Sequence, residues 1–404
     1  MAHQSRFPSS KACGYSRLAV EAIVGLTDVV EAMHHTISQS PGILGRAPQG
    51  RTSGITGFVY ESTRQISRWV GSGVELSLGQ LAPDTSGESS CSPVNEAVIA
   101  AINGVLGDYL AETQNPLAIP MQFRRNGRAL RLEPDALAAA LEQPNGKILI
   151  MAHGHCMNDL FWGQTGHDHG AALAADLGFT PIYLRYNSGR HISTNGREFA
   201  GLMETLLGIW PVAIEDVAIV AHSLGGLVSR SACHYGELAG HQWPRRVGKI
   251  VYLGTPHHGA PLERAGNWLT LALGVSPYSK PLSRLAKIRG ACITDMRYGT
   301  ILDSHWESCD RFEHVEAPGA AVPLHESIRH FAIAASLGKQ NRGWSGRLIG
   351  DGLVPLDSAL GRHASPELTL PIPEDHQWIG YGMGHLELLH RAEVYEAIRR
   401  FLSS

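Results

Sequence analysis

The chain has 404 residues, of which 43% are hydrophobic and 18% charged, and a formal net charge of −3. That length supplies the core of one large domain with an appendage, or of two domains. The near-neutral balance excludes nucleic acid as the main partner, because neutralising phosphates takes clustered Lys and Arg.

The N-terminal stretch lacks a basic end followed by a long apolar core, so no signal peptide is expected. No uninterrupted apolar run approaches the ~20 residues of a membrane span. Six cysteines (Cys13, Cys91, Cys156, Cys233, Cys292 and Cys309) are scattered without a CxxC pair. They read as free thiols in a reducing compartment, and the protein as cytoplasmic.

Residues 1–115 read as a helical N-terminal extension. Ala19, Ile23, Leu26, Val30, Met33 and Ile37 alternate steps of four and three, which lays them on one helix face. Ile55, Val59, Ile66, Trp69 and Leu76 continue the rhythm, and Val94, Val98, Ile102, Val105 and Tyr109 form a third face. The breaks between them, "SQSPGILGRAPQGRTSG" and "LAPDTSGESSCSP", are rich in Gly, Pro and Ser.

At residue 118 the texture changes. "IPMQFRRNGRALRLE" places two strand-like arms around Asn126-Gly127, a hairpin signal. Short apolar strands then follow, "KILIMAH", "PIYLRYN", "VAIVAH", "KIVYLG" and "HFAIAAS", with helices predicted near 169–177, 194–208 and 224–237. Strands that are apolar throughout, joined by helical crossovers, predict a mostly parallel sheet covered on both faces. The segment of about 260–327 breaks the alternation, and an insertion at the carboxyl ends of the strands is where a cap or lid sits.

The chemistry is carried by "VAIVAHSLGGL". A serine hydroxyl needs a base to take its proton, and a strand running sharply into a helix projects Ser223 for that purpose. Ala221 stands where the elbow pattern has its first glycine; position −2 demands a small side chain, and a methyl group meets that demand. A serine at a glycine-rich helix start is also an ordinary N-cap, so the partners decide. "GDGLVPLDSA" supplies Asp351, with Asp357 as competitor, and "GMGHLELLH" supplies His385, with His376 and His390 as weaker alternatives. Nucleophile, acid, histidine is the α/β-hydrolase order. His385 is expected to act as general base and Asp351 to orient it. For the oxyanion hole the expected donors are the amide of Leu224 and that of His155, in the loop "HGHCMN" after the first long strand. Trp268 and Leu271, in the insert, are candidate acyl contacts.

"AHSLGG", "HGH", "LGTPHHGAPL", "DGLVPLDSA" and "GHLELL" together resemble bacterial lipases and esterases of the α/β-hydrolase superfamily, nearest the branch of GPI inositol-deacylase (PGAP-like) lipases. "YLRYNSGRHISTNGREFAGLMETL" resembles the same branch, and the resemblance spans about 118–402. It implies an α/β fold with an α/β-hydrolase domain over 116–404, the Ser223, Asp351 and His385 triad, and the His155 and Leu224 oxyanion hole. Carboxylic-ester hydrolysis is the leading expectation, on an ester or lipid substrate and without a cofactor. Thioesterase, amidase and acyltransferase chemistry use the same triad. A metal-dependent hydrolase is the reading from another class, since "HGH", "HDH" and "HH" (153–155, 167–169, 257–258) offer imidazoles, but no H-E-x-x-H spacing occurs. No metal is expected in the chemistry, which leaves only a structural one open. The N-terminal faces could pack on the hydrolase core, pair with a second copy, or lie on a lipid surface; Glu21, Asp28, Glu31 and Glu61 argue against the last.

Overall fold

The structure is a computed structural model that describes residues 93–141, 143–259, 291–306, 322–338 and 350–404. The first two N-terminal helical faces, Trp268, Leu271 and three of the six cysteines lie outside the described residues.

In chain order the elements are α1 (Pro93–Glu112), β1 (Gln122–Arg125), β2 (Arg128–Ala129), α2 (Pro134–Ala140), β3 (Lys147–Ala152) and α3 (His169–Leu177). They continue with β4 (Thr180–Arg185), α4 (Ile192–Gly208), β5 (Asp216–His222), α5 (Leu224–Leu238) and β6 (Lys249–Leu253). The last are α6 (Ala291–Tyr298), β7 (Arg329–Ser336), α7 (Leu356–Ala359), β8 (Gln377–Tyr381) and α8 (Ala392–Ser403).

The eight strands form one sheet in the order β2-β1-β4-β3-β5-β6-β7-β8. The β1–β2 and β1–β4 pairs are antiparallel, and every pair from β4 to β8 is parallel. The hairpin closes where expected: Arg125 pairs with Arg128, and Asn126 and Gly127 both take positive φ (51° and 74°), as a two-residue primed turn requires. The architecture is α/β, with a mostly parallel sheet.

Strand alternation explains both cores. Ile148, Ile150, Ala152, Val217, Ile219 and Ala221 point to the face covered by Phe199, Met203 and Leu206 of α4 and Leu227 and Val228 of α5. Leu149, Met151, Ala218, Val220, Val251 and Leu253 point to the other, under Leu173 of α3 and Val394, Ile398 and Phe401 of α8. Each of the Val, Leu, Ile, Met and Phe side chains among them contributes about 1.5–3 kcal/mol by leaving water. Strand β8, "QWIGY", is an element the sequence reading did not predict.

Residues 91–111 and 119–404 form one compact unit, so α1 goes with the sheet. Its Ile102 and Val105 are buried, and the carboxylate of Glu96 meets the Arg185 guanidinium at the end of β4 at 2.6 Å. Beyond that helix, the Asn115 side chain accepts the amide of Leu117 at 2.9 Å in a short turn.

Candidate active site

Strand β5 ends at His222, and α5 begins at Leu224. Between them Ser223 adopts φ 55°, ψ −120°, a conformation that L-residues rarely hold. The turn is fixed from both sides: the Ser223 amide donates to Leu253 O at 2.8 Å, and the Gly226 amide to Ser223 O at 3.0 Å. The close return of the helix explains the glycine at +2, since a Cβ on Gly225 would lie 2.6 Å from Ala152 O. At −2 the methyl of Ala221 is fully buried in the core beside its strand partner Ala152. Among the described residues, none is hydrogen-bonded to Ser223 Oγ, which is buried.

Asp351 and His385 meet at the carboxyl side of the sheet. His385 Nδ1–H donates to Asp351 Oδ2 at 2.6 Å, and both residues are buried. The other carboxylate oxygen, Oδ1, accepts the amides of Leu353 (2.9 Å) and Val354 (2.8 Å), and the His385 amide donates to Asp351 O at 3.2 Å. The carboxylate is thus held by backbone donors as well as by the ring, and with Nδ1–H turned to the carboxylate, Nε2 is the ring nitrogen that carries the lone pair. His385 also lies against His222, the neighbour of Ser223, with ring centroids 4.7 Å apart. Gly254, directly after the Leu253 carbonyl that receives the Ser223 amide, leaves the space that the His385 ring fills: a Cβ there would lie 3.0 Å from Cε1.

The loop after β3 runs past the same point. A Cβ on Gly154 would lie 3.3 Å from Ser223 Cβ. His155 is buried, and its Nδ1–H donates to Ser188 O at 3.0 Å. Leu224, the first residue of the 15-residue α5, has an amide that the helix itself cannot use, at the positive end of the helix dipole.

The other sequence candidates lie elsewhere. Asp357 sits in the first turn of α7, and its backbone O accepts the Arg362 amide at 2.8 Å. His376 Nδ1–H donates to His330 O at 3.1 Å, tying the start of β8 to β7. His390 closes the short helical turn that His385 opens.

The paired imidazoles are engaged otherwise. His153 stacks on Tyr186 with its Nδ1–H on Gly154 O, His169 donates to Leu388 O and faces His167, and His258 donates to Gly361 O. Among the described residues no three His, Cys, Asp or Glu side chains are grouped to hold a metal ion. Cys156, Cys233 and Cys292 are free and buried, and among the described residues no helix is long and apolar enough to cross a membrane.

Burial pushes the pKa of His153 down to about 3, and those of His155, His169 and His330 down to about 4. The folded chain holds these rings neutral, whereas unfolding frees them to charge from about pH 6.5 downward. Stability is therefore complete above pH 6.5 and falls as pH drops toward 4, each ring costing about 2 kcal/mol at pH 5. Thermal unfolding followed between pH 8 and pH 5 should show a flat midpoint down to about 6.5 and a steep fall below it.

Residues 202–333 match the family model of the PGAP1-like alpha/beta domain, a span that includes Ser223 and ends before Asp351 and His385. No curated protein matches the chain. Among solved structures, it is similar to the mature lipase BlEst2 of Bacillus licheniformis (16% identity, 65% of this chain and 94% of that one, TM-score 0.40). It is also similar to the esterase Pf2001 of Pyrococcus furiosus (15%, 64% and 81%, TM-score 0.38) and to an alpha/beta hydrolase fold protein of Chitinophaga pinensis (13%, 65% and 91%, TM-score 0.37). The chain has a mostly parallel eight-stranded α/β sheet and resembles, over residues 202–333, the PGAP1-like alpha/beta domain.

Proposed function

We propose that the protein is a serine carboxylic-ester hydrolase, a lipase or esterase that works through an acyl-enzyme on Ser223. The observation that carries this reading is the buried His385–Asp351 pair at 2.6 Å, packed on His222, the residue before a serine held in a strained strand-to-helix turn.

Nε2 of His385 removes the proton as Ser223 Oγ attacks the ester carbonyl. The resulting oxyanion is held by the amides of Leu224 and His155, donors that need no reorganisation during the step. Imidazolium then protonates the leaving alcohol. Water repeats the sequence with His385 as base, releasing the acid and restoring the serine. Asp351 keeps its charge throughout, fixes the Nδ1–H tautomer and stabilises the imidazolium. Catalytic hydrogen bonds of this kind tighten when substrate binds.

Trp268 and Leu271 are the proposed acyl contacts, on sequence grounds, and the N-terminal helices a proposed self-association surface. The buried free thiols support a reducing, cytoplasmic setting.

Hydrolysis of p-nitrophenyl esters from acetyl to palmitoyl, with Ser223→Ala beside the wild type, tests the reading. Turnover that vanishes in the variant supports it, with the preferred chain length separating lipase from esterase. A folded wild type inert on every chain overturns ester hydrolysis and moves attention to thioester, amide or acyl-acceptor chemistry at the same serine.

A further inference from the structure

The segment Tyr186–Arg190 takes no part in the chemistry described above, yet it grips the loop that carries the second oxyanion donor. Ser188 is buried and bonds that loop twice. Its carbonyl accepts the Nδ1–H of His155 at 3.0 Å, and its Oγ accepts the amide of Cys156 at 3.0 Å. Cys156 needs such a hold, because it is a non-glycine residue at φ 58°. The peptide between His155 and Cys156 cannot rotate without breaking the bond at the Cys156 amide. Rotation of the His155 side chain or its backbone breaks the bond at Nδ1.

Ser188 is in turn fixed by Asn187, whose groups are used in three directions. Its Nδ2 donates to Gly107 O at 2.8 Å, its Oδ1 accepts the Gly189 amide at 3.1 Å, and its backbone O accepts from Asn195 Nδ2 at 3.0 Å. Gly107 lies on α1, next to the non-helical Leu106 that kinks that helix. The kinked stretch fits only with glycines: a Cβ on Gly104 would overlap Cys156 Sγ, and one on Gly107 would overlap Asn187 Oδ1. Helix α1 therefore backs both the oxyanion loop and the segment that clamps it.

We infer that Ser188, seated by Asn187 and α1, is a positioning residue that holds the His155 amide in line with the oxyanion. The inference rests on the hydrolase reading of the Ser223 site. A donor that stabilises charge present only in the transition state changes kcat, whereas uniform binding changes KM. A purely structural role for Ser188 would lower the unfolding temperature and leave both constants alone.

The test uses the full chain and compares Ser188→Ala, Ser188→Cys and Ser188→Thr with the wild type and Ser223→Ala. For Ser188→Ala the ester kcat falls about 10- to 100-fold with KM within about twofold, less than the loss of a whole oxyanion donor. The affinity for butaneboronic acid, a tetrahedral adduct former, falls by a similar factor. Thr keeps the acceptor oxygen and restores activity. Cys fills nearly the same space but accepts poorly, so it lowers kcat in the same direction and keeps the test alive if the alanine variant does not fold. Unchanged kcat and boronate affinity in a folded Ser188→Ala or Ser188→Cys protein overturns the inference. Activity retained by Ser223→Ala overturns the underlying hydrolase reading instead, whatever Ser188 does.

Discussion

Replacing Ser223 by glycine is expected to abolish ester turnover, by about a millionfold in kcat, while raising the unfolding temperature. The two effects share one cause. At φ 55°, ψ −120° the serine backbone is strained in a region open to glycine. Such conformations cost about 1–3 kcal/mol. Glycine removes that strain and gives back about 0.5–1 kcal/mol through its greater freedom in the unfolded chain. The balance favours the variant by about 1 kcal/mol, or about 2 °C in a unit of this size. Alanine keeps the strain and loses the nucleophile, so Ser223→Ala should be as inactive without the gain. Thermal melts of the pair, run beside ester assays, separate chemistry from backbone strain; a glycine variant no more stable than the alanine one would mean that the turn is not strained.

Asp351→Asn is expected to cost about 10⁴ in kcat with little change in stability. Asp351 Oδ1 accepts two amides, from Leu353 and Val354, and in the variant the amide oxygen must stay there to satisfy them. The side-chain NH₂ then faces His385 Nδ1, where the carboxylate Oδ2 accepted a proton at 2.6 Å. Two donors cannot share that contact, so the ring moves its proton to Nε2 and can no longer act as base toward Ser223. A kcat that falls less than tenfold would mean that His385 keeps its tautomer without this carboxylate.

The strand-to-helix turn at Ser223 was legible because its signals are local: an apolar strand, a serine and two glycines fit within the 11 residues from Val217 to Leu227. The hairpin was legible for the same reason, through Asn126-Gly127. Asp351 and His385 could be singled out as candidates, a carboxylate and an imidazole in glycine-rich loops after Ser223, while their mutual contact is a feature of the fold. Strand β8 escaped because it is a short edge strand whose one fully buried position is Gly380, so it shows neither an apolar run nor alternation. Helix α1 was readable as a helix from Ile102 and Val105, but nothing periodic says what its glycine side packs against. The Ser188 clamp is less legible still, since it rests on polar contacts 32 and 33 residues apart in the chain.

The central claim, an acyl-enzyme on Ser223, is tested most directly by treating the protein with an alkyl fluorophosphonate and mapping the adduct by mass spectrometry. The account predicts one adduct per chain, on the peptide containing Ser223, with parallel loss of ester turnover and no labelling of Ser223→Ala. An adduct on another residue, or ester turnover that survives in Ser223→Ala, would contradict it.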